Sequence, residues 1–461
     1  MAFPPESALT DTRFARIGYE GVATLFLRKT RYLITLETDF VSGKVNGAAR
    51  ILFVNSTPDS LVNALFRLYP NHPIPAAYGN IYSAAKPRMI ISSLKRDGVL
   101  IPVKWVDQYQ TALEIPFATP LLPGGQAEIE VLYSIQYAAP SDTFDVRHAF
   151  PLQALYDSVE HRWRQDIVTK SLDYVVSEAG LFAVTLRTPK NLALHATGVI
   201  TDVQESATQY TYQITTGPVR NFVFVLTRGW GVLPVVGSPV TLHLSYKGRR
   251  EVAEEIQRLS LEAFQYFDQN FGPYLYARLT LLALVYPTGG EEYPTLLFID
   301  TGRDTTYRRF ITAHEVAHQW FYGVVGSDIA RHAWLDESLA QIAMYLFYQE
   351  KYGNDVAEAT WESILTWARR SKGAPRLIDT PVERFTDFTD YMIHTYGLGG
   401  LFMRQLLEKM GRDAFKKGLA VYYEAATPQF WGTPDLFYRS MQAQTSQPLN
   451  VLFCQQVGIA C

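Results

Sequence analysis

Apolar and polar positions alternate with a period of two through most of the first half of the chain. Short runs of this kind cover Tyr32 to Phe40, Ala49 to Val54, Leu65 to Leu68, Met89 to Leu94 and Ala127 to Tyr137. They recur at Phe182 to Leu186, Tyr210 to Ile214 and Asn221 to Leu226. Alternation sends successive side chains to opposite faces, so each run reads as a strand with one face toward a core. Leu122-Pro123-Gly124-Gly125 and Thr216-Gly217-Pro218 punctuate the runs. No convincing helical periodicity longer than about two turns appears before residue 249. The pattern predicts antiparallel sheets in a sandwich-like or saddle-shaped module.

The pattern changes near Leu233-Pro234-Val235-Val236-Gly237-Ser238-Pro239, which places a domain boundary between residues 1–238 and 239–461. A strand is predicted over Val240 to Tyr246. Arg250 to Phe271 then carries Val252, Ile256, Leu259, Ala263, Phe264 and Phe267 at helical spacing and stops at Gly272-Pro273. Leu279 to Tyr286 and Thr295 to Ile299 are strand-like, and from Tyr307 onward the chain is nearly all helix-like. The fold class is therefore α+β and multi-domain, a β module followed by a mostly helical one.

Composition narrows the function. Apolar content of 48% and charged content of 19% are those of an ordinary globular protein. A net charge of −3, with no basic run beyond Lys247-Gly248-Arg249-Arg250, argues against a nucleic-acid partner. No stretch of about 18 apolar residues occurs, so no spanning helix is expected. Met1-Ala2-Phe3-Pro4-Pro5 lacks the basic and then apolar pattern of an export leader. Localisation stays open between the cytoplasm and export with a leader or anchor since removed. Cys454 and Cys461 lie far from any His cluster and fit either a small terminal disulfide or two free thiols.

Candidate chemistry centres on His314-Glu315-Val316-Ala317-His318. Arg309 to Tyr322 contains no Gly or Pro and predicts a helix. Four residues apart on it, His314 and His318 point within about 40° of each other and can reach one metal ion. Glu315 is turned roughly 80° from their mean direction, beside the metal, where a general base for an activated water belongs. Glu337 follows His318 by 19 positions, on a predicted helix running to about Lys351 and stopped by Gly353. Gly323, Gly326 and Ser327-Asp328 allow the chain to turn between the two helices. Two His and one Glu leave a fourth position open, as catalytic zinc sites require. Asp336 and Gln341 are candidates to hydrogen-bond a ligating imidazole. His332 reads as a surface or packing residue. His394 lies two residues before a candidate tyrosine.

These residues resemble the M1 family of zinc aminopeptidases, within the gluzincin group. His314-Glu315-Val316-Ala317-His318-Gln319-Trp320 and Trp334-Leu335-Asp336-Glu337 match its two metal motifs, with Asp336 and Ser338 varying the usual W-L-N-E-G. Gly289-Gly290-Glu291-Glu292-Tyr293-Pro294 corresponds to G-A-M-E-N, with Glu291 in place of Met. The resemblance implies that Glu292 binds the substrate's free α-ammonium and that Gly289, Gly290 and Glu291 belong to the same substrate-binding segment. Thr395-Tyr396-Gly397-Leu398-Gly399-Gly400 resembles V-Y-x-K-G-A, with Leu398 in place of Lys. It implies Tyr396 as the donor to the tetrahedral intermediate, with Tyr391 its rival. Further matches at 65–71, 122–125 and 271–274 extend the resemblance over about residues 30 to 450.

The implied architecture is an N-terminal β domain followed by a thermolysin-like catalytic domain, in a short, bacterial-type form without the large C-terminal helical domain of long members. The implied cofactor is one Zn2+ per chain, and the implied substrates are peptides with a free N-terminus. Two other readings use the same residues. One is a zinc hydrolase or endopeptidase of other specificity, and the other a catalytically silent peptide-binding scaffold.

Overall fold

A computed structural model describes residues 3, 16, 29–73, 88–169, 171, 174–371 and 377–461. The chain forms two compact units. The first comprises Met1–Ile167, Ser177–Trp230 and Tyr276–Arg278, and the second Val168–Val176, Gly231–Leu275 and Leu279–Cys461. The division falls at Trp230/Gly231, ahead of the expected boundary at 238/239. Gly231–Val232 pairs with Thr241–Tyr246, and this ladder ties the segment to the second unit.

In the first unit the predicted runs at Leu65 to Leu68 and Asn221 to Leu226 lie in smaller sheets, while the other six of the eight fall in one eight-stranded sheet. Its order is Val199–Glu205, Gln209–Val219, Gly180–Pro189, Arg31–Asp39, Lys44–Val54, Gln126–Gln136, Arg88–Arg96 and Val99–Leu100. Alternate positions such as Ile34, Leu36, Ile51, Phe53, Ile129 and Val131 are buried. One ladder departs from the antiparallel expectation. Arg31–Asp39 runs parallel to Gly180–Pro189, with Tyr32 opposite Phe182. The Tyr32 and Phe182 rings stack at 4.5 Å, and the Tyr32 hydroxyl accepts the backbone N–H of Gln153 at 3.0 Å. Smaller sheets complete the unit, one of them built on Leu61–Arg67 and Ala112–Leu121. Ala112–Leu121 escapes the sequence pattern because it contains Pro116 and Pro120, which demote a run as a strand. Pro116 is accommodated at a register shift between this strand and Leu61–Arg67.

The second unit opens with a five-stranded sheet. Its order is Gly231–Val232, Thr241–Tyr246, Arg278–Leu284, Leu296–Asp300 and Gly290–Tyr293, so Gly290–Tyr293 lies at an edge. Helix α1 (Arg250–Asn270) buries the predicted face, Val252, Ile256, Leu259, Ala263, Phe264 and Phe267. Helix α2 (Thr305–Ala317) starts at Asp304, whose carboxylate accepts the N–H of Tyr307 at 3.0 Å. Helix α3 (Ile329–Tyr352) is buried throughout from Ala333 to Tyr348. It is apolar nearly all round for that reason. Helix α4 (Asn354–Ala368), α5 (Phe388–Tyr391), α6 (Gly399–Met410), α7 (Arg412–Ala426), α8 (Pro434–Gln442) and α9 (Asn450–Gln456) follow. Cys454 and Cys461 are joined in a disulfide. No helix among the described residues is long and apolar enough to cross a membrane.

Two local departures shape the site. The expected helix over 309–322 ends at Ala317 and continues as wider turns over Gln319–Val324. There the N–H of Gly323 reaches the carbonyl of His318 at 2.8 Å, and the N–H of Val325 reaches that of Trp320 at 2.9 Å. The Trp320 indole N–H donates to the Gly272 carbonyl at 2.7 Å, which draws this segment toward the end of α1. The second departure is at His332, where α3 is kinked (φ −130°, ψ 43°). Asp379 grips both sides of that kink, accepting from His332 Nδ1 at 2.6 Å and from Trp334 Nε1 at 2.8 Å.

Gly397 shows how tightly the turns over Met392–Leu398 pack against the end of α4. A Cβ at Gly397 would lie 2.6 Å from the Ala368 nitrogen and 2.9 Å from its Cα. Both are backbone atoms that cannot swing aside. Gly397→Ala is therefore expected to destabilise the second unit by about 1–3 kcal/mol. Denaturant unfolding checks this, and an unchanged midpoint would contradict the packing described.

Candidate metal and peptide site

Helices α2 and α3 bring three side chains to one buried point. His314 Nε2 lies 3.1 Å from His318 Nε2, with the rings edge to face. Glu337 Oε2 lies 3.2 Å from His314 Nε2 and 3.6 Å from His318 Nε2. All three residues are buried, and their nearest donor atoms fall within 4.8 Å of one another. Glu337 Oε2 makes no well-formed hydrogen bond among the described residues. A buried carboxylate oxygen facing two imidazole nitrogens needs a cation to offset its desolvation. This donor set, two nitrogens and one oxygen, fits a metal ion with an open position.

The neighbours prepare these atoms. His318 Nδ1 donates to Asp336 Oδ1 at 2.8 Å and lies 3.1 Å from the Phe321 carbonyl. Holding the proton on Nδ1 turns the Nε2 lone pair toward the cluster. The wide turns after Ala317 make this possible by folding the Phe321 carbonyl back onto the ring. Burial opposes charge on both imidazoles. In His318 the Asp336 and Glu292 carboxylates outweigh it and push the pKa well above its ordinary value. In His314 burial wins and the pKa is lowered. Burial also opposes the Glu337 carboxylate, yet the two imidazoles hold its pKa below the usual range. The Phe310 ring lies parallel to His314 at 5.4 Å and limits how that imidazole can turn.

Glu315 leaves α2 on the side of the edge strand Gly290–Tyr293. A Cβ built on Gly290 would fall 2.2 Å from Glu315 Oε1, so glycine is needed for the carboxylate to lie there. Gly290 and Glu292 share one face of the strand. A Glu292 carboxylate oxygen comes within 4.8 Å of donor atoms of His318 and Asp336. Gly289 takes φ +105°, and a Cβ there would meet the Tyr307 hydroxyl at 2.2 Å. Glu291 projects from the opposite face, where its carboxylate accepts from the Tyr286 and Tyr293 hydroxyls. The structure thus separates Glu291 from the Glu292 side of the strand, because neighbouring strand residues face opposite ways.

Tyr396 reaches the cluster from the turns over Met392–Leu398. Its hydroxyl donates to Glu337 Oε1 at 2.5 Å. Tyr391, the rival, is buried among Val168, Ala330, Ala333, Val382 and Phe385. His394 donates through Nδ1 to the Asp390 carbonyl at 2.8 Å and stacks on Phe385. Gln341 is fully buried but hydrogen-bonds neither imidazole, unlike Asp336. Motif spacing assigns no role to Gln319. That side chain makes three buried hydrogen bonds, to Tyr274, Tyr293 and Thr295. In the sequence it is visible only as the residue that follows His318 within the motif match.

Residues 261–455 match the family model described as Peptidase family M1 domain. The matched region spans the whole site described above, from Gly289 to Tyr396. Aminopeptidase N of Oryctolagus cuniculus is 30% identical over 153 residues, covering 30% of this chain and 15% of that protein. Aminopeptidase 2 of Candida albicans is 24% identical over 231 residues, covering 45% of this chain and 24% of that protein. The matched regions thus span a quarter or less of these relatives. Among solved structures, the M1 zinc metallopeptidase of Deinococcus radiodurans superposes with a TM-score of 0.64 at 17% identity. That match covers 94% of this chain and 95% of the other. A mutant of the same enzyme bound to a Tyr-Ser-Ala substrate gives 0.62 at 18% identity over the same shares. At that identity the superposition establishes the fold alone, a β module followed by a mostly helical one, in the α+β order that the sequence pattern predicts.

Within the matched region the Asp336 carboxylate is the most direct support of His318, a candidate metal ligand. Asp336→Ala is expected to weaken metal binding by about 10–100-fold. Metal titration of the apoprotein measures this, and an unchanged affinity would show that Asp336 does not orient His318.

Proposed function

We propose that this chain is a zinc aminopeptidase that removes residues from the free N-terminus of peptides. The observation that carries the reading is the convergence of His314, His318 and Glu337, with Glu315 on one flank and the Glu292 side of the edge strand on the same flank. The M1 domain match and the names of the relatives support it.

In this reading one Zn2+, held by His314, His318 and Glu337, supplies Lewis acidity toward the scissile carbonyl and the attacking water. Glu315 takes the proton from that water and passes it to the leaving amine. Burial and the Gly290 backbone keep its carboxylate from swinging away. The Tyr396 hydroxyl, bonded to Glu337 in the absence of substrate, turns its proton to the developing oxyanion. Glu292 holds the substrate ammonium, and a carboxylate at a set distance from the metal selects the first peptide bond. Gly289 and Gly290 leave the strand backbone open to an extended peptide. Glu291 takes no part in amine binding and holds the strand from its other face.

Glu315→Gln is expected to retain zinc and fold while losing about a hundred- to ten-thousand-fold in kcat. Aminoacyl-fluorophore hydrolysis with parallel zinc analysis checks this, and an active Glu315→Gln protein would sink the mechanism. Glu292→Gln is expected to abolish most of the preference for free over N-acetylated peptides. Initial rates on such a matched pair test it, and a preference equal to that of the wild type would remove Glu292 from the amine site.

A further inference from the structure

Gln319 occupies a singular place in this arrangement. It follows the ligand His318 directly, and its side chain is fully buried. Its Oε1 accepts from the Thr295 backbone N–H at 2.9 Å and from the Tyr274 hydroxyl at 3.1 Å. Its Nε2 donates to the Tyr293 carbonyl at 3.1 Å. Tyr293 in turn directly follows Glu292. One buried amide therefore joins the residue next to the amine anchor to the residue next to a metal ligand.

Gly290–Tyr293 lies at the sheet edge and, among the described residues, pairs with Leu296–Asp300 on one side. Tyr293 pairs with Leu296 across the two-residue turn Pro294-Thr295. Thr295 sits in that turn at φ +65°, a conformation a β-branched residue rarely adopts. Gln319 accepts the N–H of this strained residue and donates to the carbonyl at the start of the turn. The other face of the strand is gripped by Glu291 through Tyr286 and Tyr293. Those bonds stay within the sheet region and do not reach the metal helix.

We infer that Gln319 is a positioning residue that sets the distance between Glu292 and the metal ligands, and so sets where along a peptide the bond is cut. The inference rests on the aminopeptidase reading. An anchor strand free to drift against α2 would still bind zinc and still carry Glu315 beside it. It would lose the fixed span that ties the ammonium to the first scissile bond. Water attack would then continue, with poorer discrimination of free N-termini and with release of dipeptides beside single residues.

The test compares the zinc-loaded wild type with Gln319→Met, which keeps the volume and removes all three hydrogen bonds. Rates are measured on a tripeptide amide and its N-acetylated counterpart, and the released products are identified. A second readout is the affinity of each peptide for the same proteins carrying Glu315→Gln. The expected result is retained zinc, a fall of about tenfold in the free-to-acetylated ratio of kcat/KM and of binding, and dipeptide among the products. A merely destabilised enzyme would lose rate on both peptides alike and keep the ratio. If Gln319→Met does not fold, Tyr274→Phe removes a single donor and is expected to shift the same ratio by about threefold. An unchanged ratio and unchanged products in the folded variant would overturn the role of Gln319 alone. A wild type without preference for the free peptide would overturn the aminopeptidase reading and this inference together.

Discussion

Three lone pairs must meet at one point inside the second unit, and the rest of that unit is arranged around the cost of bringing them there. Two imidazole nitrogens 3.1 Å apart and a carboxylate oxygen 3.2 Å from one of them are all withdrawn from water. Such a cluster is costly without a cation and stable with one. The requirement explains why α3 is buried on every side, since the carboxylate must be carried deep into the unit to face α2. It also explains the pairing of His318 with Asp336, which uses one ring nitrogen for orientation so that the other can ligate. The end of α2 is shaped by the same need, because only the wider turns fold the Phe321 carbonyl onto His318.

The edge strand depends on the cluster in turn. Gly290 can approach α2 only because it has no Cβ, and Glu315 fills the space thus left. Alternation along four residues then decides chemistry. Glu292 shares the face of Gly290, and Glu291 faces two tyrosine hydroxyls on the other side. In the proposed reading, the second negative charge beside Glu292 is thereby turned away from the substrate amine. It is absorbed by hydrogen bonds to Tyr286 and Tyr293, which stiffen the strand from behind.

Much of this arrangement is legible in the order of residues alone. Helical spacing places His314 and His318 together, and the Gly-containing connection after His318 allows a second helix to return Glu337. The core face of α1 and the β runs of the first unit follow from periodicity, because one face of each is buried. What escapes has physical reasons. The end of α2 depends on Trp320 bonding to Gly272, 48 residues away, and no local propensity records such a bond. The kink at His332 is held by Asp379, which lies in another part of the sequence with no motif around it. Ala112–Leu121 is hidden by its prolines, and the parallel ladder between Arg31–Asp39 and Gly180–Pro189 is a property of topology rather than of either strand. Gln341 is a reasonable partner for an imidazole by spacing on α3. Only the packing of α2 on α3 shows that Asp336 takes that place.

In the proposed reading, one zinc ion, three protein ligands and one carboxylate anchor together define an amino-terminal cut. A crystal structure of the zinc-loaded Glu315→Gln protein with a free-amine tripeptide tests it most directly. Metal density is expected at about 2.0–2.2 Å from His314 Nε2, His318 Nε2 and the Glu337 carboxylate, with the peptide ammonium on Glu292 and its first carbonyl toward the metal. Metal bound elsewhere, or a peptide lying with its amino terminus away from Glu292, would contradict the claim.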